Sequence, residues 1–202
     1  MNLNEFAREV HANACAHGWW ETERDPAEII ALIHSEWSEA LEEYRAGRPM
    51  VWHACGEQPN GNGEICNPQD EYDCTNYGRE SECRYRGKKP EGVAVELIDG
   101  CIRILDFAAH EKVSLKFENI EELFPNFPTQ ITALHYYTSS VMNYVGSNGK
   151  LKAPNRIPEL LGEMIDNVFK YIRTQGLDPE KIMREKHEYN KTRPYRHGGK
   201  KC

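Results

Sequence analysis

Residues 28–45 read EIIALIHSEWSEALEEYR. At 100° per residue, Ile30, Ile33, Trp37, Ala40, Leu41 and Tyr44 make one apolar stripe, the mark of a helix that buries one face. Glu36, Glu39 and Glu43 fall together beside it. Residues three and seven apart are neighbours on a helix surface, so these like charges repel by a few tenths of a kcal/mol per pair. Either the acids are a solvated edge or something cationic sits against them.

The whole chain bounds the choices. Its 202 residues allow one domain, or one domain with a large insertion. A net charge of −7 argues against wholesale nucleic-acid binding. No stretch approaches the roughly 18–20 apolar residues that span a membrane. The start, MNLNEFAREVHANACAHGWW, has no basic segment followed by an apolar block, which predicts a cytoplasmic protein without a secretory signal. In a reducing compartment its seven cysteines are metal ligands or ordinary thiols rather than disulfides.

Period and punctuation predict an all-α fold with a loop-rich, cysteine-containing insertion. Helices are expected over 3–16, 26–46, 93–110, 129–145, 157–175 and 178–190, and no strand is expected. Asp25-Pro26 is a cap and first-turn pair, and Gly176 a C-cap. Residues 111–127 read as irregular, with Pro125 and Pro128 as breakers. Cys15 and Cys101 are expected in the core and Cys202 as a free terminal thiol.

The helix opening at Val93 is apolar round most of its circumference, interrupted by Glu96, Asp99, Arg103 and Asp106. Such a helix is buried, so Glu96 and Asp99 need compensation, from Arg103 or from a metal. Packed antiparallel, this helix and the first would bring Glu36, Glu39, Glu96 and Asp99 to a common point. Four hard oxygen donors suit Mg²⁺ or Mn²⁺. A di-iron bundle also uses inward acids but wants Glu-x-x-His pairs, and none of the eight histidines has Glu three residues before it. Glu43 is read as supporting or solvated.

Two further segments carry chemistry. Residues 186–201, KHEYNKTRPYRHGGKK, hold six Lys or Arg against one Glu in an acidic chain. Lys186 and Asn190 lie one helical turn apart, and Arg193 can grip a phosphate bidentately. The alternative is a solubilising terminus. Cys55, Cys66, Cys74 and Cys83, with ten, seven and eight residues between them, would hold tetrahedral Zn²⁺, with His53 as a substitute ligand, or remain free thiols.

Taken in order, HSEWSEALEEYR, KPEGVAVELIDGCIRILD and KHEYNKTRPYRHGGKK resemble the MazG-like all-α nucleoside triphosphate pyrophosphohydrolases, which include dCTP pyrophosphatases and dimeric dUTPases. The likeness covers residues 5–50, 88–110 and 177–202. It implies one MazG-like helical domain over 1–202, as a homodimer or higher homo-oligomer, with insertions at 47–91 and 111–176. It implies Mg²⁺ or Mn²⁺ on Glu36, Glu39, Glu96 and Asp99, with Glu39 doubling as general base. It puts Lys186, Asn190 and Arg193 on the phosphates of a nucleoside triphosphate, and His11 and Trp20 near the base. His34 is read as structural. The insertion brings a second ExxD, Glu163 and Asp166, which competes with Glu96 and Asp99 for the metal. The expected reaction is hydrolysis of a (deoxy)nucleoside triphosphate to monophosphate and pyrophosphate. Two alternatives stay open: a pyrophosphohydrolase of phosphoribosyl-nucleotides, and a non-catalytic helical adaptor that binds nucleic acid or protein.

Overall fold

The computed structural model describes residues 1–54, 65–66, 89–117, 126–146, 148, 150–152 and 156–199, with 54, 65, 66 and 199 described by their backbone alone. Six helices carry the fold: α1 (Leu3–Ala16), α2 (Pro26–Arg45), α3 (Val93–His110), α4 (Phe127–Val141), α5 (Ile157–Thr174) and α6 (Pro179–Lys191). Among the described residues no helix is long and apolar enough to cross a membrane.

The starts follow from local chemistry. Asp25 caps α2 by accepting from the Ala27 amide at 2.9 Å, and Asp178 caps α6 by accepting from the amides of Glu180 and Lys181, satisfying donors that the first turn leaves orphaned. Pro128 does not break α4; it lies in its first turn behind the Asn126 cap. A proline there loses no helical hydrogen bond, because first-turn N–H groups have no partner inside the helix. At its far end α4 tightens into a 3-10 turn, Met142–Tyr144, short of the expected residue 145 as a helix end.

Helix α3 is the axis of the molecule and packs against α1, α2, α5 and α6. Its Val95, Leu97, Ile98, Cys101, Ile104 and Leu105 are fully buried, as an all-round apolar helix requires. Contacts give the directions. Glu36 meets Arg103, and Trp37 lies against Gly100; one number rises as the other falls, so α2 and α3 are antiparallel. His34 meets His135 and Trp37 meets Thr138, both at an offset of 101 residues, so α2 and α4 run parallel. Of the apolar stripe on α2, Ile30, Ile33, Trp37 and Ala40 are buried. Tyr44, at the stripe's end, is 48% exposed, resting its ring near Phe127. Cys15 is exposed rather than in the core, on a side of α1 away from buried Phe6, Ala7 and Val10; Cys101 is buried as expected.

The expectation of no strand is corrected. β1 (Trp52–Ala54), β2 (Ile65–Cys66) and β3 (Lys89–Glu91) form an antiparallel sheet in the order β2-β1-β3. Strands of two or three residues are too short to show an alternating pattern. Pro90 sits opposite His53 in edge strand β3, where its missing N–H is tolerated. Of the expected zinc ligands, Cys55, Cys74 and Cys83 lie outside the described residues, and Cys66 is described only by its backbone.

Gly100 is set by packing: a Cβ there would stand 2.2 Å from the Trp37 ring. Helix propensity favours alanine over glycine by about 1 kcal/mol, but a rigid indole cannot retreat, and overpacking costs about 1–3 kcal/mol. Gly100→Ala is therefore expected to lower the urea midpoint, and a raised midpoint would show that Trp37 is not wedged against α3.

His34 and His135 join α2 to α4 through their Nδ1 atoms at 2.7 Å, with ring planes 9° apart and centroids 5.0 Å apart. That separation is the N···N distance plus two ring radii, so the rings meet edge to edge in one plane. The bond needs one ring with an unprotonated Nδ1 to accept, so it is lost when both rings are protonated. Burial lowers both pKa values from 6.5, and the neighbouring ring lowers His34 further. Groups with depressed folded pKa stabilise above their unfolded pKa and lose that contribution as pH falls. Thermal stability should drop below about pH 6.5, and His135→Gln should flatten part of that drop in a pH series of melting curves.

Candidate metal and phosphate site

A cleft of about 220 Å³ opens where α1, α2, α3 and α6 meet edge strand β3. From α2 it receives Glu36 and Glu39, one turn apart; α3 contributes Glu96 and Asp99, also one turn apart, then Arg103 and Asp106. The i, i+3 spacing within each helix puts each pair on one face, and antiparallel packing turns the two faces together. One oxygen from each of Glu36, Glu39 and Glu96 lies within 4.8 Å of the others. Glu36 and Glu96 are buried, while Glu39 is exposed and accepts from Ser35 Oγ at 2.9 Å.

Asp99 faces a different partner. Its Oδ2 holds Lys186 Nζ at 2.8 Å, and the same amine donates to the Pro90 carbonyl at 3.1 Å. Lys186 is 2% exposed. Burial alone would lower its pKa, but Asp99 and Glu96 lift it to about 12. Arg103 does not compensate Glu96 or Asp99 on its own helix; it reaches across to α2, its Nε 2.5 Å from Glu36 Oε1.

Protons complete the balance. Burial pushes Glu36 up to about 7 despite Arg103, and burial with neighbouring Asp99 pushes Glu96 up to about 9. Glu96 donates its proton to Glu91 on β3, whose own carboxyl, though buried, is held low by that bond and by Lys89. Two of the three converging carboxylates, Glu36 and Glu96, thus favour their protonated forms where a cation would relieve the repulsion. Their donor set, hard anionic oxygens, fits Mg²⁺ or Mn²⁺.

Asn190 and Arg193 also line the cleft, and the chain after α6 folds back to keep them there. The Arg196 amide donates to the His17 carbonyl at 3.1 Å, its Nε to the Gly18 carbonyl at 3.1 Å, and Tyr195 OH to Glu21. The basic segment is thus docked against the end of α1 and the turn after it as far as His197, whose ring meets Trp19.

His11 and Trp20 stand outside the cleft lining and converge on Asp106, which belongs to it: His11 Nδ1 at 2.7 Å, Trp20 Nε1 at 3.0 and 3.1 Å from its two oxygens. Trp20 stacks on His110, ring centroids 3.7 Å apart. The adjacent indole, Trp19, lines the cleft. Glu163 and Asp166 on α5 do not reach it: Glu163 bonds the Tyr137 hydroxyl, and burial raises Asp166 to about 6. Glu43 accepts from Trp52 Nε1 at 2.7 Å, away from the cleft.

Sequence reading missed Asp106, Glu91 and His187 as cleft residues. Asp106 was legible, being two turns after Asp99 on the same face; His187 shares a face with Asn190 by i, i+3 spacing. Glu91 needed the sheet. The chain matches no protein-family model, no curated protein and no solved structure.

The raised pKa values of Glu36 and Glu96 stabilise the fold most below pH 4.5, and that contribution is lost as pH climbs through about 7 and about 9. Above about pH 6.5, where the His34–His135 pair no longer titrates, the cation-free protein should therefore melt progressively lower up to about pH 9. Mg²⁺ or Mn²⁺ should restore stability by a margin that grows with pH, with proton release measurable by calorimetry in buffers of different ionisation enthalpy. A margin independent of pH would count against cation binding at these acids.

Proposed function

We propose that the protein is a Mg²⁺-dependent nucleoside triphosphate pyrophosphohydrolase, releasing pyrophosphate and a nucleoside monophosphate. The observation that supports this most is the meeting of Glu36, Glu39 and Glu96 within 4.8 Å, in the same cleft as Lys186 and Arg193. Acid on one wall and fixed positive charge on the other suits a cation-bound polyphosphate. The resemblance to MazG-like pyrophosphohydrolases points the same way.

A divalent cation held by Glu36, Glu39, Glu96 and Asp99 would offset phosphate charge and make a water more acidic. The chain's own residues do the rest. Glu39, the exposed member, has access to a water at the mouth and is placed to take its proton as it attacks phosphorus in line. Lys186 would turn from Asp99 toward the phosphate oxygens once that carboxylate is engaged, and Arg193 would neutralise the departing pyrophosphate. Arg103 holds Glu36 in place during the exchange.

Purified Glu39→Gln should lose pyrophosphate release by roughly 100-fold or more while keeping its helicity, because the side chain is exposed and glutamine keeps an acceptor for Ser35 Oγ. Lys186→Met should do the same with weaker nucleotide binding. Glu163→Gln should retain near-full activity. Pyrophosphate release screened over common nucleoside triphosphates with Mg²⁺ reads all three, and full activity in Glu39→Gln would refute the site.

A further inference from the structure

The cleft also holds two α6 side chains, His187 and Asn190, that the proposed hydrolysis leaves unused. His187 is 2% exposed, lines the cleft, and its Nε2 has no hydrogen-bond partner among the described residues. Three residues on, Asn190 Oδ1 is enclosed in the same cleft and is likewise unpartnered. The spacing puts both on one face of α6. Each orphan has lost its hydration without gaining a partner, and two adjacent ones call for a ligand.

Its chemistry can be narrowed. Burial first, then Lys191, lowers the His187 pKa against the opposing pull of Glu188 and Glu9, so the imidazole is neutral and is no cationic clamp for phosphate. The Phe6 ring meets it edge-on, centroids 5.0 Å apart, which fixes its orientation. Phosphate oxygens only accept, and cannot satisfy Asn190 Oδ1. A hydroxyl has one proton to give to Asn190 Oδ1 and lone pairs that accept from His187 Nε2–H, so it suits the Nε2-protonated tautomer of His187. Val10 and Ala14 of α1 also line the cleft and supply apolar surface.

We propose that His187 Nε2 and Asn190 Oδ1 form a subsite that reads a sugar hydroxyl of the nucleotide, so that the substrate class is nucleotides bearing a free 3′-hydroxyl. This rests on the pyrophosphohydrolase reading for the placement of the phosphates at the acidic wall. The Asn190 amide nitrogen remains available to phosphate while its oxygen takes the hydroxyl.

The test compares deoxynucleoside triphosphates with their 2′,3′-dideoxy counterparts, as dissociation constants without divalent cation and as kcat and KM with Mg²⁺. The full-length protein should bind the hydroxylated form about 10–100-fold more tightly. His187→Leu should shrink that ratio toward unity while Mg²⁺ still raises the melting temperature as in the parent protein. His187→Gln, which keeps a polar tip, should recover part of it. Equal binding of the two forms by the parent, or full discrimination by His187→Leu, overturns the subsite. Turnover without discrimination sinks the subsite and leaves the hydrolase reading; discriminating binding without turnover does the reverse; no nucleotide binding sinks both.

Discussion

The structure depends on how a helix buried on nearly every side tolerates carboxylates. α3 cannot turn Glu96 and Asp99 to bulk water without exposing its apolar faces. Isolated buried carboxylates would cost several kcal/mol each. The fold resolves this by concentrating its acids at one seam and crossing it with two cations from other elements: Arg103 to Glu36, and Lys186 to Asp99. Glu96 is answered by a proton instead, shared with Glu91. Every element at the seam is positioned by one of these contacts, so the same electrostatics that fixes α2, α3 and α6 together also builds the cleft.

That solution leaves the seam poised. Arg103 and Lys186 pair with Glu36 and Asp99, yet Glu36 and Glu96 keep raised pKa values, through burial first and repulsion from neighbouring acids second. Repulsion maintained in a folded protein marks an environment where additional positive charge is favourable. Such perturbation also occurs in purely structural networks. The proposed cation site rests instead on the three-oxygen geometry, the exposure of Glu39 and the presence of Lys186 and Arg193 in the same cleft.

The helices were legible because their apolar period is sustained over many turns and because Asp25, Asp178 and Gly176 punctuate them. The four acids were legible for the same reason: i, i+3 spacing fixes their face before any tertiary contact is known. What spacing cannot give is which cation answers which acid. Arg103 lies on the same flank as Asp99, yet the antiparallel packing of α2 offers it Glu36. Lys186 is 87 residues from Asp99 in the chain, and their pairing depends on α6 docking beside β3. Trp19 and Trp20 show the limit most sharply: adjacent indoles diverge, and only the position of Asp106 decides that Trp20 serves it while Trp19 enters the cleft.

The small sheet explains how a long insertion can interrupt the site without disturbing it. β1 leaves α2 and β3 enters α3, and their pairing closes the intervening segment at its base. Loop closure of that kind costs little more as the loop lengthens, so the residues between can vary in number while the base stays fixed. The base is also tied to α6 twice, through His53 to Glu185 at 2.6 Å and through the Pro90 carbonyl to Lys186. A proline at that edge gives up an N–H the ladder does not need and keeps the carbonyl that Lys186 does. The insertion's anchor is therefore part of the cleft wall, and α6 cannot shift relative to Asp99 without straining β3.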